Sequence, residues 1–199
     1  MRCLGDNPIF TYLSHDNKYA IKDKSIPMKQ TRWFDKKFDF SYEQNIFPSI
    51  IERMRGTPIR IQALIAKVPE EKLTIKPNGK WSILEHIGHL LDLEELWEGR
   101  LDEMLAQKPE LRAADLTNRG TDLANHNNRV PQELLQEFAS VRAKIVERLE
   151  ELTVEDVFFS SIHPRLKKPM RTMDLFLFAA AHDDHHLATI TQLKRELLK

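Results

Sequence analysis

The chain has 199 residues, with 30 basic and 30 acidic side chains, so its formal net charge is zero. Its charged and apolar fractions, 30% and 41%, are typical of one globular domain with or without an extension. No basic tract, apolar run of about 20 residues or signal-peptide core is present, which argues against nucleic-acid binding, a membrane span and secretion, and we expect a cytoplasmic protein. Cys3 is the only cysteine, so any metal site must use histidine and carboxylate ligands.

Residues 1–27 differ from the rest of the chain, because they are polar, rich in turn-forming residues and without periodicity. We expect an N-terminal extension, either flexible or upstream of a native start at Met28. An ordered arm that packs on the domain or on a second subunit is the alternative. The domain itself is predicted to cover residues 28–199.

The first predicted helix covers about residues 43–67, where apolar residues recur at steps of three and four. Within it, Pro58 either begins a second segment capped by Thr57 or marks a kink. The second helix begins at Ser82, which forms a capping-box pattern with Glu85, and continues to about residue 106.

A long connection over residues 107–129 follows, and such connections are often functional. The third helix covers about residues 131–151, and a second irregular connection covers residues 153–171. The fourth helix begins after Thr172 and continues to the C-terminus. Because strand signals are weak, the sequence predicts an all-α fold, a four-helix bundle with long connections.

Two histidines of the fourth helix lie where a bundle helix usually has leucine. His182 and His186 are four residues apart, on a stripe of inward-facing positions, so both imidazoles project from nearly the same face. Two unpartnered imidazoles in a core would be costly, and a shared metal ion removes that cost. His185 belongs to the neighbouring column of the helix. Asp183 and Asp184 are predicted to be solvated, although either could orient an imidazole.

A third ligand should come from the second helix, which offers Glu85, His86, His89 and Asp92. We favour His89, since it lies among inward-facing leucines, and Asp92 is then a plausible hydrogen-bond partner. Glu85 already has a capping role, and His86 is predicted to be peripheral. His126 and His163 lie in the long connections. Each could approach the open end of the bundle, but taken alone each is read as a surface loop residue.

Two stretches of the chain carry five of its eight histidines. They are Lys80-Trp81-Ser82-Ile83-Leu84-Glu85-His86-Ile87-Gly88-His89-Leu90, followed by Asp92 and Glu94, and His182-Asp183-Asp184-His185-His186-Leu187. Both resemble signatures of the DinB-like superfamily, which includes the YfiT-type proteins, and the resemblance extends over about residues 33–199. It implies a four-helix bundle with a divalent metal at one end, bound by His89, His182 and His186, and often a homodimer. Relatives include thiol-dependent S-transferases and a thiol-dependent isomerase, but no motif here identifies a thiol cofactor.

These observations favour a divalent-metal-dependent enzyme that activates water or a small thiol for attack on a small-molecule substrate, as a hydrolase or a thiol S-transferase. Three histidine ligands suit zinc or nickel, and a low-molecular-weight thiol is a possible cofactor. Asp92, His163 and His126 are the candidate catalytic residues. The alternatives are a non-enzymatic metal-binding bundle with a structural or sensing role, and a histidine-rich core without metal. A cleft beside the metal, lined by Trp97, His126 or His163, would favour catalysis.

Overall fold

The computed structural model describes residues 29–199, and residues Thr31–Lys199 form one compact unit. The predicted N-terminal extension, residues 1–27, lies outside the described residues. Within the described part, no helix is both long enough and apolar enough to cross a membrane.

The predicted all-α bundle is confirmed. Its long helices are α1 (Phe47–Ile65), α3 (Ile83–Asp92) with α4 (Glu94–Leu105), α6 (Pro131–Glu150) and α8 (Thr172–Leu197). The short helices are α2 (Glu70–Leu73), α5 (Arg119–Leu123) and α7 (Val154–Phe158). Helices α1 and α3 each pack against both α6 and α8, and their buried apolar residues form two hydrophobic clusters.

Helix α1 continues through Pro58, so this proline does not begin a second segment. Proline has no N–H, so the carbonyl of Met54, four residues earlier, has no helical donor. The guanidinium of Arg142 on α6 donates to this carbonyl at 3.1 Å. Thr57 is buried inside the helix and does not cap a second segment.

The second predicted helix is in fact two helices, α3 and α4, which meet at Leu93. The capping box at its start is confirmed. The backbone N–H of Glu85 donates to Ser82 Oγ at 3.1 Å, and the backbone N–H of Ser82 donates to Glu85 Oε2 at 2.8 Å.

Both long connections contain regular structure. The first holds α5 and a 3-10 turn at His126–Asn128. The second holds α7 and an antiparallel hairpin of β1 (Ser160–His163) and β2 (Lys168–Arg171), in which Ser160 is opposite Arg171 and His163 is opposite Lys168. Each strand has only four residues, too few for a clear alternating pattern, which explains why the strand signal in this stretch is weak.

Asp183 is completely buried, so the prediction that it is solvated was wrong. Its carboxylate lies 2.5 Å from Arg142 Nη1, and Arg142 also pairs with Glu94 at 2.6 Å. Asp183 further accepts a hydrogen bond from Thr57 at 2.8 Å. Asp184, in contrast, is partly exposed and pairs with two arginines of α1.

Candidate metal centre

The structure brings together the three histidines that the sequence nominated as ligands. One nitrogen of each of His89, His182 and His186 lies within 4.8 Å of the others, and all three side chains are buried. Nε2 of His182 and Nε2 of His186 are 3.2 Å apart. Two nitrogens on one tetrahedral ion, with metal–nitrogen distances of about 2.0–2.1 Å, lie roughly 3.3 Å apart. The spacing of the α8 pair therefore fits shared coordination.

The three imidazoles are held neutral, as metal ligands must be. Burial lowers the pKa of His89 to about 4, and it lowers the pKa values of His182 and His186 well below their usual range. At neutral pH each ring then keeps one nitrogen lone pair. Neutral, buried nitrogens converging on one point are the donor set of a divalent transition metal.

Hydrogen bonds that involve Thr121 and Asp92 orient the imidazole of His89. The Thr121 hydroxyl donates to Asp92 Oδ2 at 2.7 Å and lies 3.0 Å from His89 Nδ1. Burial raises the pKa of Asp92, but hydrogen bonds from His126 and Thr121 outweigh it and lower the pKa overall, so this group is an acceptor. The Thr121 hydroxyl therefore donates its proton to Asp92. Because that proton is used, Thr121 Oγ1 can only accept from His89 Nδ1–H. This leaves the Nε2 lone pair of His89 available for a metal.

His86 is not peripheral, in contrast to the prediction. Its Nδ1 lies 2.8 Å from Nδ1 of His186, and its ring packs at 5.5 Å from the ring of Trp81. If His186 presents Nε2 to a metal, its Nδ1–H donates to His86 Nδ1, which fixes the tautomer of both rings. His86 is therefore placed to orient His186, as Thr121 orients His89.

His126 is buried at 3% exposure, so its assignment as a surface loop residue was wrong. Its Nε2 lies 3.0 Å from Asp92 Oδ2, the same oxygen that accepts from Thr121, and 3.1 Å from Oδ1. The ring packs so closely on Gly88 that a Cβ at this position would overlap it. Gly88, in the stretch Lys80–Leu90, thus makes room for His126.

His163, at the end of β1, is also buried rather than on the surface, with 2% exposure. Its Nδ1 accepts from the backbone N–H of Leu166 at 3.2 Å, and its Nε2 lies 3.3 Å from Arg100 Nη1. Burial, followed by the charge of Arg100, lowers the pKa of His163 to about 4. It is therefore neutral at pH 7, and its Nδ1 lone pair is held by backbone N–H groups.

The three-histidine cluster lines a cavity of about 340 Å³. His163 and Trp97 line it too, as the sequence predicted for a catalytic cleft. Asp92 and His126 are not among its lining residues and belong instead to the hydrogen-bonded group behind His89. Asp92 thus meets the expectation of a partner near His89, through Thr121.

Two tryptophans flank the histidine cluster, and the sequence reasoning gave neither a role. Trp33, from the segment before α1, packs edge-on against His182 at 4.6 Å, and Trp81 lies 4.8 Å from His89. Trp81 lies in the stretch Lys80–Leu90, which resembles a family signature, and could have been predicted from it as a neighbour of the site. The contact of Thr121 with His89 could not be predicted from the local sequence, because Thr121 lies 32 residues from His89 in a connection without periodicity.

The fold is similar to that of YfiT from Bacillus subtilis, which is described as a probable metal-dependent hydrolase with an unusual four-helix bundle topology. The TM-score is 0.69 at 20% sequence identity, and the similarity covers 81% of this chain and 93% of that one. No curated protein matches the chain. The family model of the DinB superfamily matches residues 53–190, a span that includes all three clustered histidines. This chain belongs to the DinB superfamily.

Proposed function

We propose that this protein is a divalent-metal-dependent hydrolase of small molecules, with His89, His182 and His186 as the metal ligands. The observation that carries the proposal is that the three neutral imidazoles line an accessible cavity of about 340 Å³. A purely structural metal site is usually saturated with protein ligands and closed, whereas a catalytic site keeps a position open. The likeness to YfiT, itself a probable metal-dependent hydrolase, supports the same class.

A metal ion held by three imidazoles supplies Lewis-acid activation of a water or thiol, which lowers the pKa of that group. The protein's part is to hold the ligands in place. Asp92 acts through Thr121 on His89, and His86 acts on His186, so two of the three rings are fixed by hydrogen bonds. Trp33 and Trp81 cover the cluster and lower the local polarity. Three nitrogen ligands suit zinc or nickel.

Of the three candidate catalytic residues, His163 is the one that can reach a substrate, because it lines the cavity. Its Nδ1 is held by the backbone, so contact with a substrate would be made through Nε2. We assign Asp92 and His126 a positioning role behind His89. In this arrangement His126 donates from Nε2 to Asp92, which keeps that carboxylate ionised and so available to Thr121.

Thiol transfer at the same site is the related alternative, since a metal can lower the pKa of a bound thiol as it does that of water. A low-molecular-weight thiol would then be a cofactor. A non-enzymatic bundle with bound metal is the second alternative. The homodimer implied by the family resemblance stays a prediction, to be tested by analytical ultracentrifugation.

The first test is elemental analysis of the full chain purified without an affinity column. We expect about one ion per chain in the wild type, and its loss in the His182→Ala/His186→Ala double variant. His185→Gln is the matched control, because His185 lies on the same helix and lines the same cavity but is outside the three-histidine cluster. It should keep its metal.

The metal-loaded protein is then assayed with nitrophenyl acetate and nitrophenyl phosphate, and separately with glutathione and chlorodinitrobenzene. Turnover of a nitrophenyl probe that is lost in the double variant supports the hydrolase. Turnover that requires glutathione supports the transferase instead. A folded wild type that contains no metal and takes up neither zinc nor nickel contradicts the proposal. Bound metal with no turnover of any probe favours the non-enzymatic bundle.

A further inference from the structure

We propose that the cavity beside the histidine cluster takes a small organic carboxylate, whose charged end is bound by Arg165 and whose apolar body lies among aromatic side chains. The proposal names a substrate class for the proposed hydrolase and rests on that function for its reaction. The binding itself depends on residues other than the metal ligands.

Within residues 29–199, Arg165 has no acidic partner. No carboxylate there lies within salt-bridge distance of its guanidinium, and its buried Nη2 donates to no acceptor. The guanidinium lies instead over the rings of Phe34 and Phe178, at 5.3 and 5.5 Å. Its pKa is lowered by burial. Arg142 and Arg171, in contrast, are matched to carboxylates. An arginine that is partly desolvated, held by aromatic faces and without an anion is poised to bind one.

Arg100 adds a second positive charge to the same cavity. It is fully buried, and its Nε and Nη2 both donate to the backbone carbonyl of Arg112 rather than to a carboxylate. Burial lowers the pKa of Arg100 to about 10; the charge of Glu103 opposes this decrease, and the charges of Arg165 and Arg112 add to it. The guanidiniums of Arg165 and Arg100 repel each other, and an anion bound near them would reduce this repulsion.

The carboxylate that does line the cavity is already engaged. Asp115 is exposed, and it accepts from the hydroxyl and backbone N–H of Thr117 at 2.6 and 2.9 Å and from the backbone N–H of Gly120 at 3.3 Å. Its oxygens are therefore held by its own loop, and within the described residues Asp115 forms no ion pair with Arg165 or Arg100. The positive charge of Arg165 remains available to a ligand.

A further donor without an acceptor is the indole N–H of Trp97. The side chain is 2% exposed and lines the cavity, and its Nε1 makes no hydrogen bond in the described part of the chain. The guanidinium fork of Arg165 and the indole N–H of Trp97 together can hold the two oxygens of a planar carboxylate. The rings of Trp33, Trp97 and Phe178 provide apolar walls for the rest of the molecule.

The length of the ligand follows from α8. Phe178, beneath Arg165, lies one helical turn before His182, which places the two side chains roughly 6 Å apart along the helix axis. The carboxylate should therefore be separated from the group that reacts at the metal by several bonds.

The test compares phenylbutanoate with phenylbutanamide, which differ in charge but not in shape. Binding to the full chain is measured by titration calorimetry, with the protein as purified and again after removal of metal by a chelator. We expect the carboxylate to bind about tenfold tighter than the amide in both states, because its hydrogen bonds are charge-assisted. Arg165→Gln should abolish this preference, and Arg165→Lys should restore part of it.

The matched control is Arg195→Gln, which removes the same charge from an exposed position in the last turn of α8 and should keep the preference. Equal binding of the two probes, absence of binding by both, or a preference that survives Arg165→Gln overturns the proposal. A preference that disappears with the metal also overturns it, because the carboxylate would then bind the ion itself. The hydrolase is judged separately, by metal content and turnover.

Discussion

The ring of His89 is fixed by a residue that is not a ligand. A carboxylate can only accept hydrogen bonds, so Asp92 dictates that the Thr121 hydroxyl points toward it, and this in turn dictates that His89 Nδ1 carries the proton. The nitrogen that faces the cluster is left with its lone pair. A single hydroxyl therefore sets both the tautomer and the angle of a proposed ligand.

Replacing Thr121 with Val removes this hydroxyl while keeping the side-chain shape. We expect metal affinity to fall by about 10- to 100-fold, because His89 loses its hydrogen-bond acceptor and its fixed orientation. Affinity is measured by competition with a chromophoric chelator. The control is Thr117→Val, an exposed threonine whose hydroxyl also donates to a carboxylate, that of Asp115. Equal affinity in the wild type and Thr121→Val would show that the hydroxyl does not orient the ligand.

At the scale of helices, the two faces of α8 contact different parts of the protein. One face presents the histidines to the cavity, and the other directs Asp183 to Arg142 of α6. The same guanidinium binds Glu94 of α4 and the carbonyl of Met54 that Pro58 leaves without a helical donor. One arginine thus connects α1, α4 and α8 and makes an internal proline tolerable. Burial raises the pKa of Glu94, although Arg142 opposes this shift.

Arg142→Met should lower the free energy of unfolding by about 3–5 kcal/mol, because it leaves two buried carboxylates without a counter-charge. Arg148→Met is the comparison on the same helix. Arg148 is partly exposed and pairs with Glu98 and Asp102, so its loss should cost about 0–1 kcal/mol. Both values come from urea denaturation of metal-free protein. Similar losses for the two variants would contradict a central role for the buried network.

At the scale of the whole molecule, the described part of the chain holds many histidines in their neutral form. Burial is the largest cause of a lowered pKa at every one of them, and the pKa is about 4 for the four that are less deeply buried. The full set is His86, His89, His163, His182, His185 and His186. An unfolded chain protonates these groups near pH 6.5, whereas the fold resists protonation.

The metal-free protein should therefore lose stability as the pH falls. Between pH 6.5 and pH 4 the unfolded state binds more protons than the folded state, so the free energy of unfolding decreases with decreasing pH and is constant above this window. Thermal unfolding at a series of pH values measures the effect. His163→Gln, which removes one buried histidine away from the metal ligands, should reduce the slope. A midpoint that does not change across this range would argue against neutral buried histidines.

Local signals in the sequence determined the helices, the capping box at Ser82 and the inward face shared by His182 and His186. Helical periodicity and capping depend on residues a few positions apart, so both can be recognised in a single sequence. Periodicity says which side of a helix is buried, but it does not say which buried residue meets which across the bundle.

Only the tertiary structure decided that His86 contacts His186 and that Asp183 is buried against Arg142. The link from His89 through Thr121 to Asp92 also depends on it. It also decided that the second connection forms a hairpin with His163 at the end of β1. The partners in these contacts are distant in sequence, and several lie in connections with no repeating pattern. Their meeting depends on how the helices and loops pack, because burial of apolar surface fixes these positions collectively rather than residue by residue.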